Sequence, residues 1–155
     1  FTYYFASSLT EKSKPAAPSG KSAKPASGGK DNDVVDVSRL DMRVGKILEV
    51  SKHPDADTLY VEKVDLGEAK PRTIISGLVR HVPLEKMQNL VGIFMCNLKP
   101  VKMRGIESQG MLMCATASDG STCEPLEIHG TNIALGDHVF VDGYPGTCAD
   151  QIFTI

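Results

Sequence analysis

Three cations stand close together in the stretch CNLKPVKMRGIESQGM, Cys96 to Met111: Lys99, Lys102 and Arg104, with Pro100, Met103 and Gly105 between them. Ammonium and guanidinium groups at this spacing suit phosphate oxygens. Asn97, Ser108 and Gln109 beside them bring neutral groups suited to sugar hydroxyls. Pro100 and Gly105 argue against a regular helix or strand, so the cations are expected at loop positions. On charge spacing alone, a solvated surface turn is the better reading of such a cluster.

The other constellations are weaker. His53, Asp55 and Asp57 resemble an acid-base or metal group, but Pro54 presets a turn and the aspartates suit backbone-bonded turn positions, so a structural loop is expected. Cys96 ends an apolar run and has no basic partner nearby in sequence, which is the setting of an inert core thiol. His81, His129 and His138 are scattered. No GxSxG, GxxxxGK[ST] or GxGxxG occurs. The four cysteines, 96, 114, 123 and 148, form no CxxC and have no histidine at ligand spacing. No catalytic residue, metal site or cofactor is expected.

Charge is divided unevenly along the 155 residues. Residues 1–30 carry five lysines against Glu11, a balance of +4, whereas residues 31–155 carry 12 cations against 18 acids, a balance of -6. An acidic body disfavours diffuse attraction to nucleic acid, so any such contact has to be local. The longest apolar run, Leu90 to Cys96, is far short of the roughly 20 residues of a membrane-spanning helix. Four cysteines in a chain with an ordinary apolar fraction read as thiols of a reducing compartment. The start, without Met and without a signal-peptide pattern, reads as a processed or excised chain, and a removed transit peptide would leave the same trace. A cytoplasmic or organellar location is therefore expected.

The elements that must position the basic segment are strands. Phe1 to Leu9 is aromatic-rich and is followed by Lys, Pro, Ala, Ser and Gly with no apolar period, so residues 1–33 are expected to be a disordered or extended basic tail. From Val34 short alternating apolar runs begin. Strands are predicted at Met42–Val50 (with Gly45 a bulge or bend), Leu59–Leu66, Arg72–Ser76, Leu90–Leu98, Met111–Ala117 and Gly136–Val141. Ser38-Arg39-Leu40-Asp41 has capping-box form, and Pro83–Asn89 has room for about two helical turns with Pro83 at the first helical position. This order predicts an all-β OB-fold over residues 34–146. That is a five-stranded Greek-key barrel with one or two short helices, followed by a tail over 147–155.

The long stretch DVSRLDMRVGKILEVSKHPDADTLYVEKVDLGEAKPRTIISGLVRHVPLEKMQN, followed by CNLKPVKMRGIESQGMLMCA, closely resembles the tRNA-binding domain of the endothelial monocyte-activating polypeptide II family. That module also occurs in the auxiliary factor of the multisynthetase complex, as a C-terminal appendix of tyrosyl- and methionyl-tRNA synthetases, and as free-standing bacterial proteins. The resemblance runs from about Asp36 to Tyr144, and RVGKI with HPDADTLYVEKVD looks especially like the tyrosyl-tRNA synthetase appendix.

The resemblance implies an OB-fold that grips tRNA by shape and backbone, in keeping with the accessible phosphates and 2'-hydroxyls of folded RNA. It places the contact on Asn97, Lys99, Lys102, Met103, Arg104, Ser108 and Met111, with the cations on phosphates, Asn97 and Ser108 on sugars or base edges, and the methionines against exposed bases. Lys46, Lys52, Arg72 and Arg80 are added on charge alone. The implied function is a non-catalytic tRNA-binding module that serves an aminoacyl-tRNA synthetase or a multi-protein complex. The competing readings are a scaffold subunit that uses the fold for protein contacts, and a cytokine-like fragment. Eukaryotic relatives continue into a subdomain resembling the second copy of the bacterial dimer. Here only about ten residues follow Tyr144, so a homodimer or docking on a larger assembly is expected. The family's signalling heptapeptide corresponds to Arg43–Glu49, where Glu49 replaces a neutral residue.

Overall fold

The computed structural model describes residues 36–144 and 147–150. The expectations for residues 1–33 fall outside the described residues, as does most of the predicted C-terminal tail.

Five antiparallel strands form one sheet in the order β3-β2-β1-β4-β7: β1 Met42–His53, β2 Ala56–Asp65, β3 Arg72–Ser76, β4 Val91–Met95 and, after the short strands β5 Val101–Met103 and β6 Ile106–Ser108, β7 Met111–Leu112. β1 is long because it serves two neighbours. Its first half pairs with β4, from Met42 opposite Met95 to Lys46 opposite Val91, and its second half pairs with β2, from Lys46 opposite Asp65 to Lys52 opposite Tyr60. The register slips between Ile47 and Glu49, so the strand bends where it passes from one neighbour to the other. Gly45, expected to be the bulge, is instead a site of close approach. A Cβ there would come within 2.7 Å of both Leu66 and Phe94, and only glycine lets those side chains meet the strand.

The sheet curls until its outer strands meet, which makes a nearly closed barrel of the predicted OB type. The seam uses side chains as well as backbone. The Gln109 N–H donates to the Thr73 carbonyl (2.8 Å), the Thr73 N–H donates to Gln109 Oε1 (3.0 Å), and the Ile75 N–H donates to Ser108 Oγ (3.0 Å). The predicted strand Gly136–Val141 is reduced to a short pairing along the start of β1. Its bonds are Gly136 N–H to the Val44 carbonyl (2.8 Å), Val44 N–H to Asp137 (2.9 Å) and Val139 N–H to Met42 (2.8 Å). The predicted strand Met111–Ala117 breaks at Met113. Its second part, β8 Cys114–Thr116, leaves the barrel to form a hairpin with β9 Cys123–Pro125.

Ile47, Val64, Ile74, Met87 and Phe94 are completely buried and define the barrel interior. Met87 comes from the single-turn helix α1, Leu84–Met87, shorter than the predicted two turns. Pro83 caps that helix from an extended conformation and does not open it. The capping box predicted at Ser38–Asp41 is not used. Asp36 caps a 3-10 turn over Val37–Arg39 by accepting from the Ser38 N–H (2.9 Å) and hydroxyl (2.6 Å), while the Asp41 carboxylate accepts from the Arg43 guanidinium (2.7 Å).

Period two along β2 turns Tyr60, Glu62 and Val64 inward. Glu62 is therefore a carboxyl in the barrel core, wholly buried, with one oxygen accepting from the Ser76 hydroxyl and the other without a partner among the described residues.

Candidate nucleic-acid interface

The basic segment is a hairpin and not the expected loop. β5, Val101–Met103, pairs with β6, Ile106–Ser108, across the two-residue turn Arg104-Gly105. Both turn residues have positive φ, 49° for Arg104 and 92° for Gly105, which is the backbone of a primed hairpin turn and matches the natural twist of two strands. Asn-Gly is the pair such a turn prefers. Arginine at the first position stores local backbone cost in order to project a guanidinium from the tip. Lys102 stands opposite Glu107, and Lys99, Lys102 and Arg104 are all exposed. Met103 is half-buried and Met111 is exposed beside the seam.

Three buried polar side chains hold the hairpin in place. His53 at the end of β1 is only 4% exposed. Its Nδ1 accepts from the Asp55 N–H (3.0 Å), which leaves the proton on Nε2, and that proton is donated to the Met103 carbonyl (3.2 Å). The His-Pro-Asp turn thus braces the strand leading to the tip, the structural role expected of it. Asn97 ties down the incoming root: its Oδ1 accepts from the Asp41 N–H (3.0 Å), and its Nδ2 donates to the carbonyls of Arg39 (2.8 Å) and Ala149 (2.9 Å). Ser108 ties down the outgoing root, accepting from Ile75 and donating to the Gly110 carbonyl (3.1 Å). These bonds engage both amide protons of Asn97 and the hydroxyl proton of Ser108, and both residues are more than nine-tenths buried.

Arg72 is likewise committed. Its Nε and Nη2 donate to the two carboxylate oxygens of Glu68 (2.8 and 2.6 Å), and Nη1 donates to the carbonyls of Cys96 (2.7 Å) and Gln109 (3.1 Å). The bond to Arg72 holds the Glu68 carboxyl below its usual range, and Glu68 in turn raises Arg72. The pair is electrically closed, so Arg72 offers little net charge to a phosphate.

The remaining cations divide by place. Lys52 is exposed and adjoins His53, at the barrel end where the hairpin tip lies. Arg80 is exposed four residues beyond Ser76, whose register partner Tyr60 also pairs with Lys52. Lys46 is half-buried at mid-strand, opposite Asp65 and Val91. The bracing by His53 and the anchoring by Asn97 and Ser108 depend on partners distant in sequence, and no local pattern signals them. Burial pushes the Cys96 thiol up to about 11, so it stays protonated as the core thiol expected from the sequence.

A family model described as "Putative tRNA binding domain" matches residues 42–137, from the first residue of β1 to the segment that pairs with it. The aminoacyl tRNA synthase complex-interacting multifunctional protein 1 of Cricetulus griseus is 54% identical over 128 residues, covering 81% of this chain and 34% of that protein. The cytoplasmic tyrosine-tRNA ligase of Gallus gallus is 50% identical over 133 residues, covering 83% of this chain and 25% of the ligase. Among solved structures, the C-terminal domain of Plasmodium vivax p43 superimposes with a TM-score of 0.70 at 32% identity, covering 76% of this chain and 70% of that one. This chain thus spans about a third or less of those two full-length relatives. On the extent of the family match, the identities and the shared barrel, the chain belongs to the tRNA-binding domain family.

Proposed function

We propose that this domain binds tRNA as a non-catalytic module working with an aminoacyl-tRNA synthetase, and that the hairpin Val101–Ser108 is its main contact. The observation that carries this reading is Arg104 at a positive-φ turn tip, next to exposed Lys102 and Lys99, on a hairpin that three buried side chains hold to the barrel. Lys52 and Arg80 extend the contact at that end, and Met103 and Met111 supply apolar surface for bases. In this reading Asn97 and Ser108 position the hairpin, while Lys46 lies apart from the contact. The proposed organisation is a basic tail over 1–33, the barrel over 34–146 and a short tail over 147–155. The name of the Gallus gallus ligase, a cytoplasmic enzyme, supports a cytoplasmic setting.

A salt titration of tRNA binding tests the reading. Three or four phosphate contacts give a log-log slope of about -2 to -3. Absence of binding at low salt would leave the scaffold reading, in which the barrel serves protein contacts. A cytokine role finds less support, because Arg43–Glu49 lies in the doubly paired β1 with Val44, Gly45 and Ile47 buried.

Docking on a larger assembly or on a second copy is proposed through the last part of the barrel unit, beyond its pairing with β1, where Phe140 is 68% and Tyr144 47% exposed. Light scattering at micromolar concentration distinguishes the two: a dimer mass supports self-association, and a monomer mass removes it.

A further inference from the structure

A cleft of about 450 Å³ opens at the root of the hairpin, between the loop before β3 and the chain entering β5. This is the size of a small-molecule site. One wall is Arg72. Four of its five N–H groups are engaged by Glu68, Cys96 and Gln109, so the guanidinium plane is fixed and what it presents to a ligand is mainly its face. A flat, immobilised guanidinium is a stacking platform for a nucleobase. Leu98 and Pro100 add apolar surface to the same cleft.

The rim carries hydrogen-bonding groups of both kinds. Gln109 spends its Oε1 on the Thr73 N–H and its backbone carbonyl on Arg72, which leaves its amide N–H2 without a partner among the described residues. Lys70 is a second donor. Asp150 is an acceptor, brought to the rim because Ala149 donates to the Arg39 carbonyl (3.0 Å) and accepts from Asn97 (2.9 Å). Guanine matches donors with O6 and N7 and a carboxylate with its N1–H and N2–H2, whereas uracil has neither the exocyclic amino group nor the larger stacking face.

Resting on the tRNA-binding reading above, we propose that this cleft receives one unpaired guanine of the bound RNA, stacked on the Arg72 guanidinium. The hairpin then supplies charge, and the cleft supplies a preference for RNA with an extruded purine over uninterrupted duplex.

The test uses the full 155-residue chain and three RNA duplexes of equal length: fully paired, with a single bulged guanine, and with a single bulged uracil. The bulged-guanine duplex is expected to bind about tenfold tighter than the paired one, the scale of one base stacked on a side chain. Arg72→Lys keeps the charge and loses the plane, and is expected to erase that difference, read as the ratio of bulged-guanine to paired-duplex affinity so that a general loss from the hairpin root cancels. If Arg72→Lys fails to fold, the Arg72 Nε–Hε resonance of the parent protein decides. It moves upfield with bulged-guanine RNA and stays in place with paired RNA. Equal affinity for all three duplexes, or an unmoved resonance, overturns the cleft assignment while leaving hairpin binding intact. No binding to tRNA or to any duplex at low salt overturns the RNA-binding reading itself.

Discussion

The double variant Lys102→Gln, Arg104→Asn is expected to bind tRNA roughly 30-fold more weakly than the parent at physiological salt, with a log-log salt slope flatter by about two units. Each phosphate contact releases counterions in proportion to its charge, so removing two exposed cations removes two increments of slope together with the affinity they supply. The substitutions separate charge from fold. Arg104→Asn places asparagine before Gly105, the Asn-Gly order that a primed turn prefers, so the tip is kept or strengthened. Lys102→Gln keeps most of the lysine stem and gives up only an exposed pairing with Glu107, worth a few tenths of a kcal/mol. Filter binding across a salt series gives both numbers, and circular dichroism confirms the fold. Unchanged affinity and slope would move the contact off the hairpin.

Glu62→Gln is expected to stabilise the domain by about 2 kcal/mol at pH 8 and to change it little at pH 5. Burial in the barrel raises the Glu62 carboxyl from 4.5 to about 7, against the smaller downward pull of the Ser76 hydroxyl. The folded state therefore holds a proton that the unfolded chain releases near its ordinary value. The associated stability is fully present below about pH 4.5 and is lost as pH rises through about 7. A shift of this size corresponds to about 3 kcal/mol, and the unpartnered amide N–H2 of the introduced glutamine returns part of it. Urea unfolding at pH 5 and pH 8 reads the effect. A parent whose stability does not fall between those pH values would show that Glu62 finds its charge compensated in the fold.

Glu62 also shows where sequence reading stops. In LYVEKVD nothing local marks the glutamate as buried, and the pairing of β2 with β1 and β3 covers the face on which it lies with Tyr60 and Val64. The bulge has the same lesson: Gly45 is the residue a bulge favours, yet the slip occurs near Leu48, because the glycine is needed where Leu66 and Phe94 press on the strand. The basic segment was expected as a loop from Pro100 and Gly105. Gly105 is instead the second residue of a two-residue turn, and three-residue strands on either side are too short for alternation to announce them.

By itself the sequence determined the strand-rich class, the barrel, the place of the basic segment between two strands, and a family resemblance that the comparisons support. These follow from local composition, turn chemistry and long contiguous motifs. Only the tertiary structure decided which polar groups near the hairpin are still available to a ligand. Asn97, Ser108 and Arg72 carry the right chemistry for RNA, yet their hydrogen bonds go to Asp41, Arg39, Ile75, Glu68 and Cys96. A side chain's donors and acceptors are readable from its type, but whether they are spent depends on partners that folding brings from distant parts of the chain.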